Sequence, residues 1–65
     1  MFKAINGNNV LTHTTPKGIV GKVQKAMHNY AWNNNIVFTE DIDWGNGKIT
    51  FRHNRKVFTW AIMEE

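Results

Sequence analysis

The fold is decided by residues 36–62, which read IVFTEDIDWGNGKITFRHNRKVFTWAI. Apolar and polar residues alternate along much of this stretch, and a period of two is the pattern of a β-strand with one buried face. The turn-forming residues Gly45-Asn46-Gly47-Lys48 and Asn54-Arg55 interrupt the alternation twice. We therefore predict a C-terminal meander of three antiparallel strands joined by two turns.

The two turns predict which residues of the meander face each other. A two-residue turn at Asn46-Gly47 gives the pairs Trp44/Ile49, Ile42/Phe51, Asp41/Arg52 and Glu40/His53. A turn at Asn54-Arg55 gives the pairs Phe51/Phe58, Thr50/Thr59 and Ile49/Trp60. These pairs place apolar residues opposite one another and, at the first turn, acids opposite bases. The second turn has the less favourable residues, because arginine is poorly suited to a positive φ.

Alternation also predicts the two faces of the meander. The core face consists of Ile36, Phe38, Ile42, Ile49, Phe51, Phe58, Trp60 and Ile62. The opposite face is mixed, and it carries threonines and charged residues together with Val57, Ala61 and Met63. A strand shifted by one residue would bury these charges, so the pattern constrains which face is inside.

The N-terminal residues contain another hairpin signal. Residues 2–5 and 10–12 are short β-like runs on either side of Asn6-Gly7, a dipeptide that suits a type I′ turn. We predict a short hairpin here. If the hairpin does not form, one of the two runs still adds an edge strand to the sheet.

A helix is predicted between these two regions. Thr14-Thr15-Pro16 supplies a hydroxyl N-cap followed by proline at the first helical position, and Asn33-Asn34-Asn35 tolerates the left-handed conformation at a helix end. Apolar residues at three- and four-residue spacing form one core-facing stripe, namely Ile19, Val20, Val23, Met27, Tyr30 and Ala31. The sequence thus predicts an α+β fold, β(β)αβββ, with one helix packed on a small antiparallel sheet in a single domain of 65 residues.

Charge is distributed unevenly along the chain. Residues 1–35 contain four lysines and no Asp or Glu, and all five acids lie in the second half. The net charge of +3 is therefore concentrated in the first half, and it predicts an anionic partner. The predicted nucleic-acid-binding residues are Lys17, Lys22, Lys25, His28 and Trp32 on the exposed helix side, and Arg52, Arg55 and Lys56 near the second turn of the meander.

Other chemistry has little support in this sequence. The chain has no cysteine, and its three histidines, His13, His28 and His53, lie on different predicted elements without metal-ligand spacing. No nucleophile with a base and no phosphate-binding loop occurs, so we expect no enzymatic activity, no metal and no cofactor. No apolar run approaches the ~20 residues that span a bilayer, and we expect a soluble, cytoplasmic protein.

Two functions remain open. The first is a small nucleic-acid-binding accessory or regulatory protein whose affinity comes mainly from phosphate contacts. The second is a small protein-binding inhibitor or regulator, of the kind bacteriophages encode, that docks its sheet face or an edge strand onto a larger protein. Exposed strand edges also predict self-association into a homodimer. We favour nucleic acid, because the first half of the chain has no acid to balance its lysines.

Overall fold

One helix lies across one face of a five-stranded antiparallel sheet. The structure is a computed structural model that describes residues 1–65. The strands are β1 (Phe2–Asn6), β2 (Asn9–His13), β3 (Thr39–Asp43), β4 (Lys48–His53) and β5 (Lys56–Glu64), and the helix is α1 (Pro16–Asn34). The sheet order is β2-β1-β5-β4-β3. The predicted α+β class and the C-terminal meander are confirmed.

The boundaries of α1 follow from its capping residues. The Thr15 side chain accepts a hydrogen bond of 3.0 Å from the Gly18 N–H, and Pro16 occupies the first helical position, where its missing N–H costs nothing. Asn35 ends the helix in the left-handed conformation, with φ 54° and ψ 47°. Both predicted ends are confirmed. The helix lacks the apolar length that a membrane crossing requires.

The core lies between α1 and the inner face of the sheet. Its buried residues are Ala4, Ile19, Val20, Val23, Met27, Ile49, Phe51 and Trp60. Three further residues of the predicted core face are half-buried and pack against this cluster, namely Phe38, Phe58 and Ile62. Alternation therefore identified the face of the sheet that the helix covers.

Two residues predicted to face the core are more exposed than expected. Tyr30 is 37% exposed, because it lies beyond Met27, the last buried residue of α1, where its ring packs against Phe38 and Phe58 at centroid distances of 6.1 and 5.3 Å. Ile42 is also 37% exposed, because β3 forms an edge of the sheet. The core is thus concentrated under the middle of the helix.

The N-terminal hairpin forms, but its turn lies one residue later than predicted. Residues 7–8 connect the strands, and a positive φ of 58° falls on Gly7. The predicted turn at Asn6-Gly7 would place Ala4 and Ile5 opposite asparagines. The observed turn instead gives the apolar pairs Ala4/Leu11 and Ile5/Val10.

The hairpin joins the meander through a pairing between β1 and β5. Ala4 lies opposite Ile62, and the Met1 carbonyl accepts a hydrogen bond of 2.8 Å from the Glu65 N–H. β5 therefore has a neighbour on each side and is the central strand of the sheet. The sequence pattern does not predict which strand the hairpin joins.

The first turn of the meander differs from the prediction. Ile42 lies opposite Ile49 and Asp43 opposite Lys48, so residues 44–47 form a four-residue loop. The pairs predicted from a turn at Asn46-Gly47 are therefore wrong, and those pairs are Trp44/Ile49, Ile42/Phe51, Asp41/Arg52 and Glu40/His53. The register differs by two residues, which leaves every side chain on its predicted face.

The second turn of the meander is confirmed. Residues 54–55 connect β4 and β5, and the predicted pairs Phe51/Phe58, Thr50/Thr59 and Ile49/Trp60 are all present. The positive φ of 54° falls on Asn54. Arg55 does not have a positive φ, so the left-handed conformation falls on asparagine, which tolerates it, and not on arginine.

The Asp43 side chain stabilises the four-residue loop. Its carboxylate accepts a hydrogen bond of 2.7 Å from the Asn46 side chain and one of 3.2 Å from the Asn46 N–H. These bonds favour the ionised carboxylate, and they hold the pKa of Asp43 below its ordinary value of 3.8. The side chain of Asp43, the last residue of β3, thus stabilises the loop that follows this strand.

We expect the contribution of Asp43 to disappear in acid. Because its folded-state pKa is lowered, the stabilisation is complete above the ordinary value of 3.8 and is lost as pH falls through the lower folded-state pKa. Asp43→Asn cannot ionise, so it should be less stable than wild type at about pH 6, with the difference shrinking toward about pH 2. Urea unfolding of both proteins at the two pH values measures this, and a constant difference would contradict it.

Gly47 has a strict backbone requirement. Its φ is 63°, and a Cβ there would lie 2.7 Å from the Ile62 carbonyl oxygen. Gly47→Ala should therefore lower the free energy of unfolding by about 1–3 kcal/mol. Gly21→Ala is the control, because Gly21 lies within α1 with open space around it, and this change should raise stability by up to ~1 kcal/mol. Urea denaturation measures both; a wild-type midpoint for Gly47→Ala would show that the loop is built differently.

Candidate nucleic-acid interface

The side of α1 that faces away from the sheet carries a line of basic and aromatic residues. Successive helical residues are about 100° apart, so the buried side of the helix fixes the direction of its exposed side. The exposed residues along this line are Lys17, Lys25, His28 and Trp32. No acidic residue occurs anywhere in α1. We call this set the helix stripe.

Lys22 was predicted to belong to the same set, but its side chain is engaged within the protein. Its Nζ donates a hydrogen bond of 2.7 Å to the Thr12 carbonyl oxygen, on the edge strand β2. A lysine in this position covers one of the backbone acceptors that an edge strand would otherwise expose. Lys22 therefore lies at the flank of the helix rather than on the helix stripe.

Trp32 is the most solvent-exposed large apolar residue of the chain. Its exposed fraction is 86%, compared with 55% for Trp44 and 4% for Trp60. Val37, which follows the helix, is 81% exposed and lies close to the same region. An indole ring held on a helix with so little packing is free to stack on a flat partner.

A cleft of about 270 Å³ lies beside Trp32, between α1 and the chain leading into β3. Its lining residues are His28, Ala31, Trp32, Ile36, Val37, Phe38, Glu40 and Phe51. Most of these residues are apolar, and the ionisable groups are His28 and Glu40. The Glu40 Oε2 atom accepts a hydrogen bond of 3.2 Å from Gln24 Nε2, which orients the carboxylate. No local sequence pattern predicts this cleft, because residues from the helix and from the sheet line it together.

The second predicted basic cluster lies at and beside the turn between β4 and β5. Arg52 follows the buried Phe51 in β4, so its side chain lies on the outer face of the sheet, opposite the face that α1 covers. Arg55 is in the turn before β5, and Lys56 begins that strand. All three residues are exposed. Arg52 therefore lies on a different face from the helix stripe, so the eight predicted residues do not all share one surface.

His13 and His53 lie apart from one another and contact backbone groups. The predicted pair Glu40/His53 is absent, because Glu40 lies opposite Phe51 and the His53 Nδ1 atom is instead 2.9 Å from the Val37 carbonyl oxygen. His13 Nδ1 accepts a hydrogen bond of 3.1 Å from the Thr15 N–H at the start of the helix. No three potential metal ligands come together.

A second groove, of about 320 Å³, opens on the other flank of α1, beside β2. Its walls are mostly apolar and include Leu11, Met27, Tyr30 and Phe58, while Asn6 and Asn9 contribute polar groups. Trp60 also lines this groove, and its indole N–H is buried without an acceptor. No cationic side chain lines this second groove.

The chain matches no protein-family model, no curated protein and no solved structure. Its function must therefore be inferred from side chains that share a surface. Cations, an exposed aromatic ring and a cleft occur together on one side of the molecule, formed by the helix stripe and the chain leading into β3.

Proposed function

We propose that this protein is a small non-enzymatic nucleic-acid-binding accessory or regulatory protein that contacts phosphates through the helix stripe. The observation that carries the proposal is the combination, on one acid-free helix, of exposed lysines with a tryptophan that is 86% exposed. Lysine ammonium groups bind phosphate oxygens, and aromatic rings stack on bases.

The spacing along α1 supports contact with an extended polyanion. Lys17 and Lys25 are eight residues apart, which corresponds to about 12 Å along the helix axis. That distance corresponds to three or four base-pair steps along the axis of a duplex, at about 3.4 Å per step. His28 continues the line toward Trp32.

The distribution of acids leaves the helix side electropositive. Asp41 and Asp43 alternate with Ile42 in β3, so they lie on the outer face of the sheet. The one salt bridge of the molecule, between Lys3 and Glu65, joins the ends of the chain and does not involve the helix stripe. Only Glu40 forms a hydrogen bond to a helix side chain. An approaching polyanion therefore meets the cations of the helix stripe, with Glu40 as the acid that lines the adjoining cleft.

Binding through phosphates predicts strong salt dependence. Log affinity for a DNA duplex should fall linearly with log salt concentration, with a slope near −0.9 per contacted phosphate. Lys17→Ala and Lys25→Ala should each weaken binding to all sequences alike and reduce the slope by about one unit. Fluorescence anisotropy with labelled duplexes at several salt concentrations measures this.

Arg52→Ala is the matched control, because it removes one positive charge from the opposite face of the sheet. It should leave the slope unchanged. If Arg52→Ala reduced the slope as much as Lys25→Ala, the helix stripe would not be the interface. Absence of any binding at about 20 mM salt would end the proposal, since non-specific electrostatic binding is strongest at low salt.

A second candidate function is protein binding through the β2 edge, and one observation favours it. β2 reads Asn-Val-Leu-Thr-His, without an acid, lysine or arginine, whereas the other edge strand, β3, contains Glu40, Asp41 and Asp43. Charged residues are a common protection of strand edges, so β2 is the less protected edge. A strand from a larger protein, or β2 of a second copy, would extend the sheet here.

The edge hypothesis predicts opposite effects of two exposed substitutions. Val10 is 52% exposed on β2, and Val10→Lys should prevent strand addition by placing a charge on the edge. Lys22→Ala should promote strand addition, because it uncovers the Thr12 carbonyl. Analytical ultracentrifugation at micromolar concentration measures the mass in solution, and a homodimer should have twice the 7.5 kDa mass of the chain. A 7.5 kDa species for wild type and Lys22→Ala alike would argue against homodimer formation.

A further inference from the structure

We propose that the cleft beside Trp32 receives one unstacked nucleobase, so that the protein binds single-stranded nucleic acid in preference to duplex. This inference rests on the phosphate-binding role of the helix stripe proposed above. It adds a binding site for a base and a rule for which bases fit.

The size and walls of the cleft suit a single base. Its volume of about 270 Å³ is slightly below the range of about 300–1,000 Å³ that is usual for small-molecule sites, and it leaves no room for a base pair. Trp32 and Phe38 contribute aromatic rings, and Ala31 and Val37 contribute apolar surface. A base in a duplex is already stacked and paired, so only an unpaired base can offer its face to Trp32.

The cations of the helix stripe are placed to hold the phosphates beside that base. His28 and Lys25 precede Trp32 by four and seven residues, or about 6 and 10 Å along the helix axis. When a base of a single-stranded nucleic acid enters the cleft, the sugar-phosphate backbone of that nucleic acid therefore lies along the same exposed side of α1. The negative charge of the nucleic-acid backbone and the positive charge of the helix stripe are complementary.

Glu40 gives the cleft a chemical preference. An ionised carboxylate only accepts hydrogen bonds, and the bond from Gln24 occupies Oε2 while Oε1 has no partner in the protein. Cytosine presents an exocyclic amino donor at the position where thymine presents a carbonyl oxygen. The carboxylate can pair with the former and is repelled by the latter. We therefore expect bases with an exocyclic amino group to bind better than thymine.

The experiment compares oligo(dC), oligo(dT) and a mixed-sequence duplex of equal length by fluorescence anisotropy at low salt. Wild type should bind oligo(dC) most tightly. Trp32→Ala should weaken single-strand binding about tenfold, because it removes one stacking platform, and should leave duplex binding nearly unchanged. Glu40→Gln should remove the preference for oligo(dC) over oligo(dT), because an amide both donates and accepts.

Trp44→Ala is the matched control. Trp44 is also exposed, at 55%, but it lies in the loop after β3 rather than beside the cleft. This variant should bind all three probes as wild type does. Because Trp32, Glu40 and Trp44 are all exposed, their substitution should leave the fold intact, and far-UV circular dichroism checks this.

The outcomes separate this inference from the proposed function. No binding to any probe would overturn both. Duplex binding equal to single-strand binding, together with no selective effect of Trp32→Ala, would leave the phosphate-binding role standing and overturn the base site. A preference for oligo(dC) that survives Glu40→Gln, or no preference at all in wild type, would overturn the role of Glu40.

Discussion

Pairing of the first strand with the last determines the shape of this protein. β1 and β5 come from opposite ends of the chain, yet Ala4 lies opposite Ile62 and is fully buried. This pairing makes β5 the central strand and places the N-terminal hairpin beside the meander. It also sends β2 and β3, which precede and follow the helix in sequence, to opposite edges of the sheet. α1 must therefore cross the whole sheet to connect them.

One helix cannot cover a sheet of this size. α1 runs from one edge of the sheet to the other and covers a band about 10–12 Å wide, whereas strands of five to nine residues extend roughly 17–30 Å at about 3.3 Å per residue. Burial is accordingly concentrated under the middle of α1, and only 8 of 65 residues are buried. The two flanks that remain open are the two grooves. The cleft beside Trp32 is thus a consequence of topology, and its chemical character comes from His28 and Glu40.

The same geometry reduces the number of basic side chains in the first half of the chain that have no partner within the protein. Lys3 pairs with Glu65, and Lys22 donates to the Thr12 carbonyl, so neither ammonium is free of partners within the protein. The basic side chains of α1 without a hydrogen-bonding partner in the protein are Lys17, Lys25 and His28. These three lie on one side of a helix that contains no acid, in line with the exposed ring of Trp32. The interface we propose is therefore narrower than the lysine count of the sequence suggests.

Features that depend on near neighbours in the chain can be predicted from the amino-acid sequence. Thr15 and Asn35 specify the ends of α1, because cap hydrogen bonds join residues a few positions apart, and alternation specifies which face of each strand is buried. The remaining features depend on contacts between residues far apart in the chain. The four-residue loop is favoured by the hydrogen bond of 2.7 Å from the Ile62 N–H to the Gly47 carbonyl, which exists only once β5 is in place. The β1–β5 pairing, the contact of Lys22 with β2 and the cleft likewise join residues far apart in sequence, so no local window contains the interactions that stabilise them.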